Sequence, residues 1–341
     1  MKTVHLIPIV SLAALFSCKN NTKQDNTAET PIEETPVVTE VVTPKTYAEI
    51  SIAQGGEWID GSRGHKEYIN STGFKNVSEL TVPKEHTDHS WYIRYEGPGW
   101  ESNKVGYRLY LDWRNAIDIY GKVTDTLELY RVGQNGFDSY HEMSDWGMDI
   151  LKAGKSMGIG SIGRYVNNEV LHFNTVEETT AKVENTPEQS MVYVNYKGWE
   201  TAGKTIDLKS TLSIKPDSRI TKHTIQTSEA LEGICTGIVD HKVGLIKSEN
   251  TEGDWAYIAT YGEQTLVPDQ LGMALFYKKD TVESLKEGKD DHLVIFKPDT
   301  APVSFYFLAA WEKEKNGITN EADFLSYINQ KLTELNNNDT L

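Results

Sequence analysis

The chain has 341 residues and a formal charge of −16, from 50 acidic and 34 basic residues. This acidic balance argues against nucleic acid as a partner, because phosphate recognition needs a basic surface. It does not exclude a small anionic ligand, since a local group of arginines and lysines can bind a carboxylate within an acidic protein.

Residues 1–17 have the pattern of a lipoprotein signal peptide. A short apolar run ends at Ser17-Cys18, which matches a lipobox. The run is too short to span a bilayer, and an ordinary signal peptide with an incidental cysteine is the alternative. We therefore expect a bacterial lipoprotein that begins at an acylated Cys18. Because residues 19–23 lack an acidic run for surface export, we expect anchoring in the outer membrane facing the periplasm, with the cell surface as the alternative.

Residues 18–48 should form the lipid anchor and a disordered linker. They contain no aromatic residue before Tyr47, so they cannot bury enough apolar surface to fold. Residues 49–341 should form a single catalytic domain. Their one cysteine, Cys235, excludes an internal disulfide and a cysteine-based metal site, and the apolar run around it predicts a buried thiol.

From residue 49 the sequence is typical of β-strands. Polar and apolar residues alternate in segments rich in Val, Ile, Thr and aromatics. The predicted strands are 91–96, 107–112, 169–173, 191–196, 205–214, 219–226, 234–239, 255–261, 273–277, 293–297 and 303–311. Because no βαβ rhythm is present, we expect a mainly β fold, a large antiparallel β-sandwich of the galactose-mutarotase-like supersandwich type.

Two helices are predicted among these strands. Near the C-terminus, Asn320 can cap a helix whose apolar residues recur at helical spacing. That apolar stripe consists of Phe324, Ile328, Leu332 and Leu335. A second, short helix is predicted around residues 146–152.

The segment 91–163 is dense in aromatic rings, carboxylates, guanidiniums and glycines. This mixture suits a polar ligand site, because rings stack while charged groups orient the ligand. Its run Gly154-Lys155-Ser156 resembles the end of a P-loop. The glycine required five positions earlier is Asp149, and the βαβ context is missing, so nucleotide binding is rejected.

His141 is the one histidine of this segment. Together with Glu142, Asp145 and Asp149 it could bind a divalent ion, but the spacing matches no defined loop. Hydrogen bonds from the loop carboxylates to backbone amides are the simple alternative. Because histidine titrates near neutral pH and an acidic neighbour can fix its tautomer, catalysis or substrate binding is favoured over metal. No metal or cofactor is predicted.

The predicted strands 91–96 and 107–112 carry Arg94 and Arg108, with carboxylates at alternate positions. A solvated outer face with surface ion pairs is the simple alternative. The neighbouring Tyr110, Trp113 and Arg114 favour a site for sugar rings that bear carboxylates, because aromatic and guanidinium groups suit the two parts of such a ligand.

Four stretches of this segment form a specific combination. They are RYEGPGWES at 94–102, VGYR at 105–108, YLDWRN at 110–115 and GFDSYHEMSDWGMD at 136–149. They resemble a family of bacterial polysaccharide-utilisation lipoproteins, formerly a domain of unknown function, that includes the ulvan oligosaccharide dehydratase. The resemblance extends from about residue 49 to the end and is strongest over residues 94–163.

The resemblance implies removal of water across C4–C5 of a glucuronic or iduronic acid at the non-reducing end of ulvan oligosaccharides. The product is a 4,5-unsaturated uronic acid, which an unsaturated-glucuronyl hydrolase can release. The implied partners are therefore an anionic oligosaccharide and the lyases, sulfatases and hydrolases of the same pathway, with the membrane contacted only through the lipid anchor.

The chemistry of this reaction suggests a role for each candidate residue. Abstraction of the C5 proton, alpha to the carboxylate, needs cationic stabilisation, and Arg94, Arg108 and Arg114 are candidates for a carboxylate clamp. His141 is the first choice as base and Tyr140 the second. The candidate acids are Tyr107, Asp145 and Glu142. Further candidate substrate contacts are Trp100, Trp113, Trp146 and Lys152.

Other functions fit the same residues. A polysaccharide lyase abstracts the same proton but expels a sugar, so it shortens the chain. A sugar epimerase or mutarotase would change no mass. A glycan-binding lipoprotein would bind without forming product, and fold-level analogy does not separate these possibilities.

Overall fold

Strands are the main regular structure, as the alternating pattern predicts. The computed structural model describes residues 43–136, 138–249 and 252–341, so the predicted signal peptide, Cys18 and most of the predicted linker lie outside the described residues. The strands are β1 (Thr46–Gln54), β2 (Glu57–Asp60), β3 (Lys66–Ile69), β4 (Gly73–Val77), β5 (Glu79–Thr81), β6 (Gly99–Ser102), β7 (Val105–Leu109), β8 (Ile117–Lys122), β9 (Gly147–Asp149), β10 (Ile159–Val166), β11 (Glu169–Leu171), β12 (Glu178–Asn185), β13 (Ser190–Thr201), β14 (Lys204–Ile214), β15 (Ile220–Thr227), β16 (Ile234–Val239), β17 (Ile246–Lys247), β18 (Trp255–Glu263), β19 (Gln270–Lys278), β20 (Val282–Glu287), β21 (Asp291–Phe296) and β22 (Val303–Trp311). A helix, α1 (Glu321–Asn338), follows them.

The described strands form antiparallel sheets. A six-stranded sheet has the order β4-β1-β6-β7-β8-β9, and a five-stranded sheet has the order β11-β10-β16-β21-β20. A nine-stranded sheet has the order β17-β18-β19-β22-β15-β14-β13-β12-β5, while β2 and β3 pair as a hairpin. The predicted fold class, antiparallel sheets followed by a C-terminal helix, is confirmed. The first strand begins at Thr46, slightly before the predicted domain start at residue 49.

The main apolar core joins one face of the six-stranded sheet to the nine-stranded sheet. Trp100 and Tyr107 lie on this face, fully buried, with stacked rings whose centroids are 5.7 Å apart. The Trp100 indole donates a hydrogen bond to Thr221 on β15 at 2.9 Å. The Tyr107 hydroxyl donates to the Arg219 carbonyl at 2.7 Å and accepts from the Ala309 N–H at 3.0 Å. Both side chains therefore hold the two sheets together.

The C-terminal helix α1 forms as predicted. The Asn320 side chain accepts a hydrogen bond from the Asp323 N–H at 2.9 Å, which is an N-cap. The predicted apolar stripe, Phe324, Ile328, Leu332 and Leu335, is buried in one cluster with residues of β18, β19 and β22. Within the described chain, none of the helices combines the length and apolar character needed to cross a bilayer.

Two predicted elements are wrong. Residues 91–96 are not a strand, because Arg94–Glu96 form a 3₁₀ turn in which Tyr95 and Glu96 have positive φ. Arg94 and Tyr95 are adjacent, and both contact Glu49 on β1. The polar and apolar residues of this segment therefore do not mark the two faces of a strand. The short helix expected around 146–152 is instead the edge strand β9, because pairing with β8 overrides local propensity.

Candidate active site

One face of the six-stranded sheet is polar and nevertheless buried. Successive residues of a strand point to opposite faces, so Arg108 points away from the core that holds Tyr107. Neighbouring strands continue this polar face, since Arg108 pairs with Asp118 and Tyr120 pairs with Asp149 in the ladder. We call it the buried polar face, and its members, each at most 2% exposed, are Glu49, Glu101, Arg108, Asp118, Tyr120, Lys122 and Asp149.

Lys122 and Glu101 attach a covering loop to this face. Lys122 Nζ lies 2.7 Å from Glu101 Oε2 and donates to the Thr126 carbonyl at 2.6 Å. The other oxygen of Glu101 accepts from the N–H groups of Glu128 and Leu129 at 2.7 and 2.8 Å. Burial raises the pKa of Glu101, and the charge of Lys122 opposes that increase. The loop after β8 is therefore held down by a buried ion pair.

Glu49 on β1 anchors a second covering loop. Its carboxylate forms a salt bridge with Arg94 and accepts a hydrogen bond from the Tyr95 hydroxyl at 2.7 Å. The Arg94 guanidinium also donates to the Leu129 carbonyl at 3.4 Å. The Nε atom of Arg94 is buried and makes no hydrogen bond within the described residues. Arg94 thus joins β1 to both loops.

Arg108 is the centre of the buried polar face. Its Nη2 lies 3.0 Å from Asp118 Oδ2 and 2.6 Å from Asp149 Oδ2. The same guanidinium donates to the hydroxyl of Tyr110 at 2.7 Å and to that of Tyr140 at 3.0 Å. Because two carboxylates share one guanidinium, burial and the charge of Asp149 raise the pKa of Asp118.

A 3₁₀ helix, Asp138–His141, places Tyr140 and His141 over this centre. His141 Nε2 lies 3.4 Å from Asp149 Oδ2, and its side chain is 30% exposed. A carboxylate at this position favours a proton on Nε2, which leaves Nδ1 as the basic nitrogen. Burial raises the pKa of Tyr140, so its hydroxyl stays protonated at neutral pH. A base and a proton donor therefore lie side by side.

A second charged cluster surrounds Arg114. Its guanidinium forms salt bridges with Asp112, with Asp88 Oδ1 at 3.1 Å and with Glu96 Oε1 at 3.1 Å. The Arg114 Cζ lies 3.8 Å from the ring centroid of Tyr110, which also contacts the arginine of the first cluster. Three carboxylates around one guanidinium leave an excess of negative charge here.

Asp88, His89 and Glu96 could hold a divalent cation. Their ligand atoms lie within 4.8 Å of one another, and carboxylate oxygen with imidazole nitrogen suits such an ion. The Arg114 guanidinium already contacts both carboxylates, so a bound ion would have to compete with it.

The loop that carries Glu96 has a strained backbone. The φ angles of His89, Trp91, Tyr95 and Glu96 are 59°, 66°, 43° and 70°, in the left-handed region that residues other than glycine rarely adopt. Each such residue costs about 1–3 kcal/mol, and such residues cluster at functional sites. The contacts of Arg94 with Glu49 hold this loop in place.

A cavity of about 380 Å³ opens between this strained loop and the segment around Tyr140. Its lining combines hydroxyls, rings, an amide and charged groups, which suits a polar ligand the size of a sugar ring or two. The principal lining side chains are Ser71, Thr72, Trp91, Arg94, Tyr95, Glu96, Gln134 and Tyr140.

The structure brings four of the predicted site residues together, but it corrects the arginine clamp. Tyr140 and His141 contact the Arg108 centre, and Arg94 lines the cavity. Each predicted arginine is already paired with at least one carboxylate. Arg108 is only 1% exposed, so it positions Tyr140 and the carboxylates rather than binding a ligand directly. Arg114, with a side chain 12% exposed, reaches the surface only at its edge.

Three other predicted residues need correction. Trp100 and Tyr107 belong to the core, because they lie on the opposite face of β6 and β7 from Arg108. Asp145 has an exposed side chain that pairs with Arg131 at 2.7 Å. That hydrogen bond lowers the pKa of Asp145, which makes it a poor proton donor.

The remaining predicted residues lie around the site or away from it. Glu142 and Lys152 are exposed. Trp146 is buried against the ring of Tyr120, with centroids 6.0 Å apart. Trp113 is 36% exposed and lines other cavities than the one beside Tyr140.

Sequence reasoning missed the carboxylates that organise the site. Glu49 and Asp118 were not singled out, although the alternation Ile117-Asp118-Ile119-Tyr120 has the pattern of a strand with one polar face. Recognition of that strand would have indicated Asp118 as a neighbour of Arg108. Glu49 gives no such signal, since its pairing with Arg94 depends on how a loop folds back.

Solved structures with some likeness to the chain are distant. One is a candidate kojibiose phosphorylase from the human microbiome, 10% identical with a TM-score of 0.40, matched over 69% of this chain and 32% of that chain. Another is a TPR-domain containing protein from Parabacteroides distasonis ATCC 8503, 7% identical with a TM-score of 0.32, matched over 77% of this chain and 54% of that one. A third is a candidate aldose 1-epimerase from Klebsiella pneumoniae subsp. pneumoniae MGH 78578, 9% identical with a TM-score of 0.37. The match covers 86% of this chain and 97% of that one.

The chain thus spans about a third of the phosphorylase and about half of the TPR-domain protein. None of the curated proteins matches it in sequence. The family model described as a domain of unknown function, DUF4861, matches residues 14–338, so the chain belongs to the DUF4861 family.

Proposed function

We propose that the protein is a hydro-lyase that removes water across C4–C5 of the uronic acid at the non-reducing end of ulvan-type oligosaccharides. One observation carries the proposal: His141, beside Asp149, lies next to Tyr140, whose hydroxyl accepts a hydrogen bond from Arg108 at 3.0 Å. A carboxylate-oriented imidazole and a protonated phenol are the two proton-transfer groups that such an elimination needs.

His141 acts as the base in this proposal. The C5–H bond breaks and its proton moves to the imidazole, while the electron pair forms the C4=C5 double bond. Asp149, 3.4 Å from Nε2, stabilises the resulting imidazolium.

Tyr140 acts as the acid on the leaving group. The C4–O4 bond breaks, and O4 takes the phenolic proton and departs as water. The phenolate that remains is stabilised by the Arg108 guanidinium. Proton exchange with solvent then returns a proton to Tyr140 and removes one from His141, so the cycle is balanced.

The uronate carboxylate is placed in the cavity of about 380 Å³ beside Arg94. Among the described lining residues Arg94 is the one cation, and the hydroxyls of Ser71 and Thr72 and the amide of Gln134 add hydrogen-bonding groups. The Arg94 side chain is only 1% exposed and is paired with Glu49, so it positions the cavity wall, and the hydroxyls and the amide replace the three-arginine clamp as direct contacts.

The test is to incubate the purified protein with saturated ulvan oligosaccharides and to follow ultraviolet absorbance and product mass. Loss of one water with a new conjugated double bond supports the proposal. Shortened chains would indicate a lyase instead, and folded protein that produces neither change overturns the proposed reaction.

Two conservative variants test the assigned roles. His141→Gln and Tyr140→Phe should each lower kcat by roughly 100- to 10,000-fold, since each removes one proton-transfer group. Asp145→Asn is the matched control, because Asp145 is exposed and contacts Arg131, and it should keep nearly full turnover. Near-full turnover in both test variants would refute the assignment.

A further inference from the structure

A second cavity, of about 190 Å³, lies beside Trp113. We call it the Trp113 cleft, and its principal lining residues are Trp113, Lys155, Tyr165, His172, Lys289 and Asp291. It shares no residue with the larger cavity beside Tyr140. The mechanism above uses none of its side chains.

The Trp113 cleft has a buried carboxyl group in its wall. Asp291 is only 2% exposed, and its Oδ1 accepts a hydrogen bond from the Met157 N–H at 3.0 Å. The residue also lines the cleft. A carboxyl group has two oxygens that accept hydrogen bonds, so Asp291 can bind a ligand hydroxyl in addition to the Met157 N–H.

Two rings also line the cleft. Trp113 is 36% exposed, and its ring meets that of His172 edge-on, with centroids 5.8 Å apart. His172 Nδ1 lies 2.8 Å from the Arg114 carbonyl. Since a carbonyl only accepts, Nδ1 carries the proton, and neutral His172 presents Nε2 as an acceptor.

The charges of the cleft indicate what kind of ligand it takes. Lys155 and Lys289 are balanced by Glu169 and Asp290 in the same lining. Because these four charges cancel and Asp291 adds a further carboxyl group, the cleft offers an anion little electrostatic attraction. Hydroxyl groups, which can both donate and accept, match its lysines, its imidazole acceptor and its carboxyl oxygen.

We propose that the Trp113 cleft binds an uncharged pyranose ring of a saccharide, stacked on Trp113 with its hydroxyls on Asp291 and His172. The C–H groups of a sugar ring pack on the electron-rich face of an indole. The proposal rests on the proposed function only in taking a saccharide as ligand class. It makes the protein a binder of a second ring, apart from the ring beside Tyr140.

The backbone connects this cleft with the candidate active site. The Phe173 N–H donates to the Trp113 carbonyl at 3.0 Å, and His172 contacts the carbonyl of Arg114. Arg114 in turn belongs to the cluster with Glu96. A sugar ring bound at Trp113 therefore lies beside the backbone of Arg114, which pairs with Glu96 in the wall of the larger cavity.

The test is a calorimetric titration with uncharged tetra- and hexasaccharides that contain no uronic acid. Such ligands cannot be dehydrated, so binding is measured whether or not the proposed reaction is correct. Trp113→Ala should weaken hexasaccharide binding about tenfold, by loss of the stacked ring. Asp291→Asn should weaken it less, because the amide keeps an acceptor oxygen.

Tyr193→Ala is the matched control, since Tyr193 is a partly exposed ring on β13 that lines neither cavity. Its dissociation constant should equal that of the wild type. Circular dichroism on each variant establishes that it is folded, and Trp113→Phe, which keeps a ring, should restore most of the affinity. Equal affinity in Trp113→Ala and wild type would overturn the cleft assignment, even if the dehydration reaction were demonstrated.

Discussion

Lys122 and Glu101 form an ion pair that water does not reach, with side-chain exposures of 1% and 0%. Lys122→Met leaves the Glu101 carboxylate buried without a counter-charge. We expect a loss of about 3–5 kcal/mol in the free energy of unfolding, measured by urea denaturation.

An exposed pair provides the control for this change. Lys197 and Glu177 are 2.8 Å apart with exposures of 58% and 64%, so Lys197→Met should change the free energy of unfolding far less than Lys122→Met does. Similar losses for the two variants would contradict the importance assigned to burial. The double variant Lys122→Met with Glu101→Gln should recover part of the loss, because no bare charge remains.

Asp291 gives a pH-dependent prediction at the same scale. Burial raises its pKa from 3.8 to about 7, with smaller contributions from the charges of Asp290 and Asp240. The folded protein therefore holds this proton more tightly than the unfolded chain. The resulting stability is fully present below pH 3.8 and is lost as the pH rises through about 7.

Asp291→Asn removes this titration. Relative to wild type, the variant should gain roughly 2–3 kcal/mol in the free energy of unfolding between pH 5 and pH 8. Urea denaturation at the two pH values measures it, with Glu188→Gln at an exposed position as the control. A wild-type-minus-variant difference that stays constant with pH would show that Asp291 is not a buried titrating group.

At the scale of elements, helix α1 offers a test of capping. Asn320→Ala removes the side-chain oxygen that accepts the Asp323 N–H, and it should lower stability by about 1 kcal/mol. Asn320→Ser keeps a capping oxygen and should cost much less. Thermal denaturation of the two variants checks this, and equal melting temperatures would argue against a capping role.

Helices and strands with a strong sequence pattern could be predicted, whereas elements that depend on contacts with residues distant in sequence could not. The strands 234–239 and 303–311 agree with their predicted positions, because continuous apolar runs are typical of strands buried on both faces. The stripe of α1 agrees because helical spacing reflects a single buried face. The 3₁₀ turn at Arg94–Glu96 is stabilised by Glu49, more than forty residues earlier in sequence. Local pattern contains no information about that contact.

The same limit applies to the candidate site. Its chain segment, with Tyr140 and His141, could be predicted from composition alone. Which face each residue occupies required the register of the sheet, so Tyr107 was placed with Arg108 although they point in opposite directions. A one-residue difference in a strand reverses the face of a side chain.

For the whole molecule, the lipid anchor at Cys18 remains a prediction, and it has a direct test. Metabolic labelling with radioactive palmitate in a bacterial host should mark the wild type and the Cys235→Ala variant, whose thiol is buried in the wild type. Cys18→Ala should lose the label and leave the membrane fraction. Label retained in Cys18→Ala would exclude this anchor.

The six-stranded sheet has a consequence for how the chain acquires its fold. Its strands β1, β4 and β6–β9 lie within residues 46–149, so the charged residues of the candidate site are synthesised early. Its apolar face is covered by β15 and β22, and β22 ends only at Trp311. A nascent chain would therefore display Trp100 and Tyr107 to water for most of its elongation. Polypeptides truncated before β22 should contain every proposed proton-transfer residue, yet they should aggregate and show no enzymatic activity.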